Sequence, residues 1–445
     1  MLRKAKALVL PFYCDGYDEE IFRKHLAKIT DYIAACDVEL EVADAMKSAD
    51  EAEAAAAKYN PYRFDFAVLL PLTWSEPRLA AIAARQFFGR PLLVWSIPFF
   101  SLAGKSWENS SFTAAEALRG SLQEMGIRCE WISYLPEGEE NPKLQKKIKT
   151  LATVARTISL LRNTRIGCFG HNFNGITSAG FDLSVLRREL GTEVYSIDGS
   201  ELIARMQALT PEDPAYAKAA ALAERKICGC MGEKKDAVIR MTAALMAYAE
   251  EYGWQAIDLR CHTEFSQTFG LTACLPLSML GDEIICSCEA DIPVVLTQLI
   301  LHYLSDGKNS TYVDIRTIEE DGMKVGACGY APCNLCIGDQ AVVGGEGGYL
   351  TNTSCFKAGR LTLARVLKFP GSTLALHAVH GAAIGQMEPL QEYGCPVYPM
   401  TRIVPDVSVD DFVHYLGGNH YALVYEEVLD AMELFCRYTG IQLLH

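Results

Sequence analysis

The sequence predicts an α/β protein in which two doubly wound parallel-sheet domains precede a domain of mostly antiparallel β structure. Short apolar strands alternate with helix-patterned segments up to about residue 305, which is typical of parallel sheets with helices on both faces. Beyond that point strand-like segments follow one another with turns between them. We therefore assign residues 1–162 and 163–305 to two flavodoxin- or Rossmann-like domains, and residues 306–445 to a β-rich domain.

Composition limits the kinds of partner that this chain can have. Half of the 445 residues are hydrophobic and 22% are charged, as in compact globular proteins. The net charge of −14 argues against nucleic acid or an anionic membrane as a partner, and no apolar run approaches the roughly 18 residues of a membrane span. The basic N-terminus leads into an apolar stretch that ends at Pro11 without a small-residue cleavage site. We expect a first β-strand there, no signal peptide, and a cytoplasmic protein.

The first domain shows the alternation most clearly. Its predicted strands are KALVLPF, VELEV, FAVLLPL, PLLVWSI and RCEWISY. The predicted helices between and after them are Tyr17–Ala35, Ser48–Tyr59, Pro77–Phe88, Thr113–Met125 and Asn141–Leu160. The polar loop Pro98–Ser111 follows a strand end and is a candidate ligand contact, although a plain connection is the commoner outcome.

The second and third domains differ in pattern. IGCFG, TEVYSID and QAIDLRC are predicted strands of a second parallel sheet, with helices between them. TYVDIRTI and MKVGAC then predict a β-hairpin with Asp321-Gly322 at its turn. Further alternating segments predict antiparallel strands, and a helix over Tyr425–Thr439 ends the chain.

The stretch from Gly270 to Leu304 carries the first candidate site residue. A strand over Glu283–Cys288 is predicted to end at Glu289, and Pro293 opens an apolar helix. Open α/β sheets bind their ligands where strands end and helices begin. Asp291 has a sufficient explanation as the N-cap of that helix, whereas a carboxylate at Glu289 requires a cation or a proton partner.

Two further residues are weaker candidates when judged by pattern alone. Alternation along TYVDIRTI places Asp314 on one face with Tyr312 and Arg316. Such an aspartate is more often solvated or paired with arginine than a ligand. His420 stands between a Gly-Gly turn and an apolar stretch, and a lone histidine is usually structural.

The segment TACLPLSMLGDEIICSCEADIPVVLTQLIL resembles the part of the L-fucose isomerase and L-arabinose isomerase superfamily that carries a metal-binding glutamate. In that superfamily a glutamate, a second acid and a C-terminal histidine hold the metal. Glu289 matches the first through CEADIP, Asp314 the second through YVDI, and His420 the third through NHYALVY. The segment Ala358–Arg365 is similar to a further strand of the superfamily, so that the resemblance covers most of the chain.

The resemblance implies a metal-dependent aldose–ketose isomerase that acts on a sugar or sugar derivative. Two carboxylates and one imidazole suit Mn(II) or Mg(II) better than zinc. Glu289 and Asp314 would both bind the metal and move a proton between C1 and C2 through an enediol, and His420 would act as a ligand. Relatives form homo-oligomers, and a hexamer or trimer with sites near subunit interfaces is implied, with the loop Pro98–Ser111 as the candidate contact.

The chain also departs from the superfamily pattern. Ala327 stands where relatives often carry histidine, which predicts three protein ligands and extra room for a bulkier or charged substituent of the sugar. His377 and His380 are the plausible replacement ligands. Neither the sugar nor its possible phosphate or sulfonate group follows from the sequence.

Sixteen cysteines require a separate explanation. In a cytosolic chain they are expected to be free thiols that pack as small hydrophobes. Cys328, Cys333 and Cys336 could suggest an iron–sulfur site, but a fourth ligand at a recognised spacing is missing. Two alternatives to the isomerase therefore stay open: a non-catalytic sugar-binding or regulatory protein, and a thiol- or iron–sulfur-dependent oxidoreductase.

Overall fold

A computed structural model describes residues 2–172, 175–261, 264–344, 349–385 and 399–445. The chain divides into two compact units, Met1–Ser159 and Leu160–His445. Parallel sheets in both units and an antiparallel barrel near the C-terminus make this an α/β protein, as the sequence predicts. The predicted boundary between residues 305 and 306 stays a prediction. Among the described residues, no helix has the length and apolar character needed to cross a lipid bilayer.

The first unit is built around one parallel sheet. Its elements are β1 (Ala5–Phe12), α1 (Glu19–Ala34), β2 (Val38–Val42), α2 (Ala49–Lys58), β3 (Phe66–Pro71), α3 (Pro77–Ala84), β4 (Leu92–Ser96), β5 (Phe100–Leu102), β6 (Lys105–Trp107), α4 (Ser111–Glu124), β7 (Glu130–Ser133) and α5 (Pro142–Leu161). The described sheet has the order β2-β1-β3-β4-β7, and β5 and β6 form a separate hairpin. Ser48 begins α2 with a capping box that it shares with Glu51.

The second unit begins with another parallel sheet. Its elements are β8 (Arg165–Phe169), α6 (Leu183–Leu190), β9 (Glu193–Ile197), α7 (Gly199–Ala208), α8 (Pro214–Lys226), β10 (Ile227–Cys228), α9 (Lys235–Tyr252), β11 (Ala256–Leu259), α10 (Cys274–Leu280), β12 (Ile285–Cys288) and α11 (Ile292–Leu304). The order β12-β11-β8-β9 puts the ends of β11 and β12 side by side. Every residue of these two strands is buried, in keeping with their mostly apolar sequence.

The rest of the second unit is mostly antiparallel. Its elements are β13 (Ser310–Glu319), β14 (Gly322–Gly326), β15 (Ala341–Gly344), β16 (Thr351–Asn352), β17 (Gly359–Phe369), β18 (Thr373–Ala383), β19 (Met400–Pro405), α12 (Val409–His414), β20 (His420–Val424), α13 (Leu429–Thr439) and β21 (Gln442–Leu444). Within the described ranges, the strands follow the order β17-β20-β13-β14-β19-β18, and β17 also pairs with β18. The sheet therefore closes into a barrel.

Three local expectations need adjustment. The hairpin of β13 and β14 pairs Glu319 with Gly322, so its turn lies one residue earlier than predicted. A register shift between Ile315 and Thr317 interrupts the predicted alternation along β13. The last helix begins at Leu429 and not at Tyr425. The amide of Val428, the residue before the helix, donates to the side-chain hydroxyl of Thr362 in β17.

Candidate metal centre

Glu289 lies at the end of β12, where the chain turns into α11. Its φ is 73° and that of Ala290 is 53°, so two consecutive non-glycine residues hold the left-handed backbone conformation. Such residues cost about 1–3 kcal/mol each and cluster at functional sites. The Glu289 amide donates to the carbonyl of Leu259 at 3.0 Å, and the Ala290 amide donates to Oδ1 of Asp258 at 3.1 Å. These two bonds to β11 hold the turn that presents the Glu289 carboxylate.

Asp314 and His420 lie opposite each other on neighbouring strands of the barrel. The register of β13 and β20 pairs them directly, and both side chains are buried. Nδ2 of the Asn419 side chain donates to Oδ1 of Asp314 at 3.0 Å. Nε2 of His420 lies 3.2 Å from Oδ1 of Asp314 and 3.3 Å from Oε2 of Glu289. The three candidate residues therefore meet, with their ligand atoms within 4.8 Å of one another.

The arrangement of these three groups fits a divalent cation. Nε2 of His420 is buried, and it makes no hydrogen bond of acceptable angle within the described part of the chain. Yet one oxygen of Asp314 and one of Glu289 lie within 3.3 Å of it. The nitrogen thus faces the space between two carboxylates, where a cation would receive one ligand from each group. Two oxygen donors and one imidazole suit Mn(II) or Mg(II).

The other nitrogen of His420 is bound to Asp291. Nδ1 lies 2.8 Å from Oδ2 of Asp291, and the same oxygen lies 3.2 Å from both terminal nitrogens of Arg365. Burial acts to lower the pKa of His420, but the hydrogen bond to Asp291 and the nearby carboxylates of Asp314 and Glu289 raise it to about 12. Burial acts to raise the pKa of Asp291, but the charges of Arg365 and His420 hold it below its ordinary value. Nδ1 donates to Asp291, so Nε2 is the atom that can bind a metal ion.

Asp291 combines two roles. Its side chain accepts a hydrogen bond from the amide of Val294 at 3.0 Å, which confirms the predicted N-cap of α11. The same carboxylate orients the ring of His420. The sequence indicates only the first role, because the second depends on a residue of β20.

Asp258 is a site residue that sequence reasoning missed. It is fully buried in β11, and its Oδ2 has no hydrogen-bond partner among the described residues. Burial, and after it the nearby charge of Asp291, raises the pKa of the Asp258 carboxyl group well above its ordinary value. The available signal was an acidic residue inside the apolar strand QAIDLRC.

The other candidates lie elsewhere. His377 is buried in the barrel, with Nδ1 2.6 Å from the hydroxyl of Tyr421. His380 lies near Asp406 and Glu427, in a group whose two acids are paired with an arginine of β17. Neither histidine joins the three site residues. Ala327 is fully buried, and its amide donates to a backbone carbonyl at 3.2 Å.

The cysteines of the predicted cluster do not form a metal-binding group in the described structure. Sγ of Cys333 contacts the carbonyl of Ser278 at 3.3 Å, and Sγ of Cys336 contacts the carbonyl of Pro332 at 3.4 Å. Burial raises the pKa of these two thiols and of Cys328. They pack as neutral side chains, which is the behaviour expected from the sequence.

Comparison with known proteins identifies relatives for most of the chain. No family model matches the sequence. A sulfoquinovose isomerase of Alkalicoccus urumqiensis is 25% identical over 316 residues, which cover 68% of this chain and 69% of that protein. A sulfoquinovose isomerase of Priestia aryabhattai is 21% identical over 442 residues, which cover 96% of both chains, and one of Priestia megaterium matches equally.

A solved structure, an ABC transporter solute binding protein from Burkholderia multivorans, is 13% identical and covers 60% of this chain and 83% of its own. Its TM-score of 0.19 supports no conclusion about the fold. The isomerases, in contrast, define a class of protein. They indicate an aldose–ketose isomerase, which is an intramolecular oxidoreductase, and they relate this chain to sugar isomerases.

Proposed function

We propose that this chain is a metal-dependent aldose–ketose isomerase that converts a sulfonated hexose of the sulfoquinovose type into its ketose. The observation that carries the proposal is the meeting of Glu289, Asp314 and His420 at one buried point. The names of the relatives favour the substrate, since sulfoquinovose is an aldohexose with a sulfonate on C6.

Glu289, Asp314 and His420 would hold the metal ion. A bound Mn(II) or Mg(II) ion supplies Lewis-acid polarisation of the sugar carbonyl. The hydrogen bond from Nδ1 of His420 to Asp291 fixes the imidazole ring, so that its Nε2 is directed at the metal position. The side chains of Glu289 and Asp314 are only 12% and 9% exposed, so the site excludes most solvent.

Proton transfer would use these carboxylates. One of them removes the proton from C2 of the open-chain aldose, which gives an enediol, and returns it to C1. The hydroxyl proton of O2 moves to O1, and the carbonyl is then at C2. No oxidant or reductant is consumed. His420 takes no part in the transfer, because its Nε2, the nitrogen that faces the site, would bind the metal ion.

The proposal is tested by following sulfoquinovose with NMR in the presence of the purified protein. We expect ketose to form with Mn(II), formation to stop after EDTA treatment, and Mn(II) to restore it. Glu289→Gln should reduce turnover at least about 100-fold, because the variant loses a ligand charge together with a proton-transfer group.

Glu427→Gln is the matched control. Glu427 is also an acid near a histidine, but it is paired with Arg360 away from the site. This variant should keep wild-type turnover. Binding of the sugar without turnover in the Mn(II)-loaded wild type would instead support a non-catalytic sugar-binding protein. Wild-type turnover in Glu289→Gln would contradict the assignment.

We further propose a cytoplasmic homo-oligomer with sites near subunit interfaces. Each described cysteine is a free thiol, in keeping with a reducing compartment. Exposed aromatic side chains lie in and next to the β5–β6 hairpin: Trp107 of β6 is 49% exposed, and Phe99, just before β5, is 72% exposed. Such side chains suit burial against a second copy. Light scattering tests assembly, and a fully active monomer would contradict it.

A further inference from the structure

The two carboxylate oxygens of Asp314 have different neighbours. Oδ1 lies 3.2 Å from Nε2 of His420, the nitrogen that faces the candidate metal position. The same oxygen accepts a hydrogen bond from Nδ2 of Asn419 at 3.0 Å. Oδ2 forms an ion pair with Arg316, whose Nη2 lies 3.1 Å away. One oxygen of this carboxylate therefore faces the metal position, and the other faces a guanidinium.

A β-bulge lies at Arg316. The pairing of β13 with β14 skips this residue, because Ile315 and Thr317 pair with two adjacent residues of β14. Bulges of this kind bend a strand, redirect a side chain and are frequent next to active sites. The side chains of Asp314 and Arg316 are only 9% and 23% exposed, so that solvent and salt screen the ion pair weakly. The ion pair therefore holds the carboxylate in one orientation.

The charge of Arg316 determines which oxygen of Asp314 a cation can reach. A divalent ion that bound both oxygens would have to approach the guanidinium beside Oδ2, and like charges at short range in a partly buried site repel each other. An arginine side chain is not deprotonated in proteins, so the repulsion is present at every working pH. The cation is thereby directed to Oδ1, the oxygen nearest to Nε2 of His420.

We propose that Arg316 is a positioning residue that restricts Asp314 to binding the metal ion through one oxygen. The inference rests on the proposed function and deepens it, because it explains how the site keeps room for the sugar. Mn(II) and Mg(II) take about six ligands. Glu289, Asp314 and His420 leave about three positions for water and sugar oxygens when each supplies one atom. An Asp314 that bound through both oxygens would occupy one of these positions.

The test counts the water molecules on the bound ion, from the relaxation of water protons in Mn(II)-loaded protein at fixed pH. Arg316→Met removes the charge and the donors at similar length, and its Mn(II) should hold about one water molecule fewer than that of wild type. The variant should also bind Mn(II) about 5- to 10-fold more tightly by calorimetry, because a repelling charge is lost and a ligand oxygen is gained. Arg316→Lys keeps a charged donor and should return both values towards wild type.

Arg402→Met is the matched control, because Arg402 also pairs with a carboxylate of β13, Glu319 at 3.1 Å, which is not one of the three site residues. It should change neither value. An unchanged water count in Arg316→Met would overturn the proposal whatever the Mn(II) affinity, and Arg316→Ala decides the matter in the same way if that variant does not fold. Failure of wild type to bind Mn(II) would overturn this inference and the metal dependence together. The expected loss of water in a protein that does not convert sulfoquinovose would support the inference and refute the proposed isomerisation alone.

Discussion

At the scale of single residues, Asp258 shows how a buried side chain can set the position of a ligand it does not touch. Its Oδ1 accepts the amide of Ala290, which follows Glu289 in a strained turn. Strain of this kind persists only where surrounding bonds determine the conformation. Asp258 is therefore expected to influence both the stability of the turn and the affinity for a metal ion.

Two substitutions of Asp258 test whether its hydrogen bond to the Ala290 amide matters, since one keeps the acceptor oxygen and the other removes it. Asp258→Asn keeps an acceptor oxygen, so the free energy of unfolding and the Mn(II) affinity should stay near wild type. Asp258→Leu leaves a buried amide without its acceptor and should reduce the free energy of unfolding by about 1–3 kcal/mol. Denaturant titration and Mn(II) calorimetry measure both effects. Wild-type Mn(II) affinity in Asp258→Leu would show that Asp258 does not position the ligand.

His377 provides a prediction about pH. Burial lowers its pKa to about 4, whereas in the unfolded chain an ordinary histidine titrates near 6.5. Below about pH 6.5 the unfolded chain binds a proton that the folded chain does not, so this contribution to stability is complete above pH 6.5 and is lost as the pH falls towards 4. The loss approaches about 3 kcal/mol. In His377→Gln, denaturant unfolding should show a weaker decline over this range, and an unchanged decline would contradict the prediction.

At the scale of elements, the carboxylate of Asp291 at the start of α11 both caps the helix and binds His420. Asp291→Asn should keep the N-cap, since asparagine caps as well as aspartate. It removes the counter-charge of buried Arg365, so the free energy of unfolding should fall by about 3–5 kcal/mol. Loss of the charged partner of His420 should weaken Mn(II) binding about 10- to 100-fold.

Circular dichroism, denaturant unfolding and Mn(II) calorimetry would measure these effects. Asp182→Asn is the matched control, because Asp182 caps α6 in the same way. It should change none of the three. A loss of Mn(II) affinity equal to that of Asp291→Asn would mean that the effect does not depend on the contact between Asp291 and His420.

The elements also show where sequence reasoning works. Continuous apolar strands between helices predicted the parallel sheets because burial on both faces leaves a local pattern. Resemblance identified Glu289, Asp314 and His420 as candidates, and the structure brings them together. The bulge at Arg316 was not predicted, since it depends on the register with β14. Barrel closure through β17 and β18 depends likewise on pairing between strands that no local pattern records.

At the scale of the whole molecule, a metal ion that binds the folded chain should stabilise it by mass action. Mn(II) at a concentration of 100 times its Kd should raise the free energy of unfolding by about 2.7 kcal/mol. Denaturant titration with and without Mn(II) measures the effect, which should disappear in Glu289→Gln. Equal stabilisation of that variant would place the bound ion elsewhere.

Because β13 and β20 are neighbours in the barrel but distant in the chain, the site cannot form early in folding. Asp314 and Asn419 are 105 positions apart, and the chain between them must be closed before the ligands of the two strands meet. A cation that binds only this assembled pair interacts with the native state and not with the transition state. It should therefore slow unfolding and leave the refolding rate unchanged. The ion would lengthen the lifetime of the finished barrel without hastening its formation.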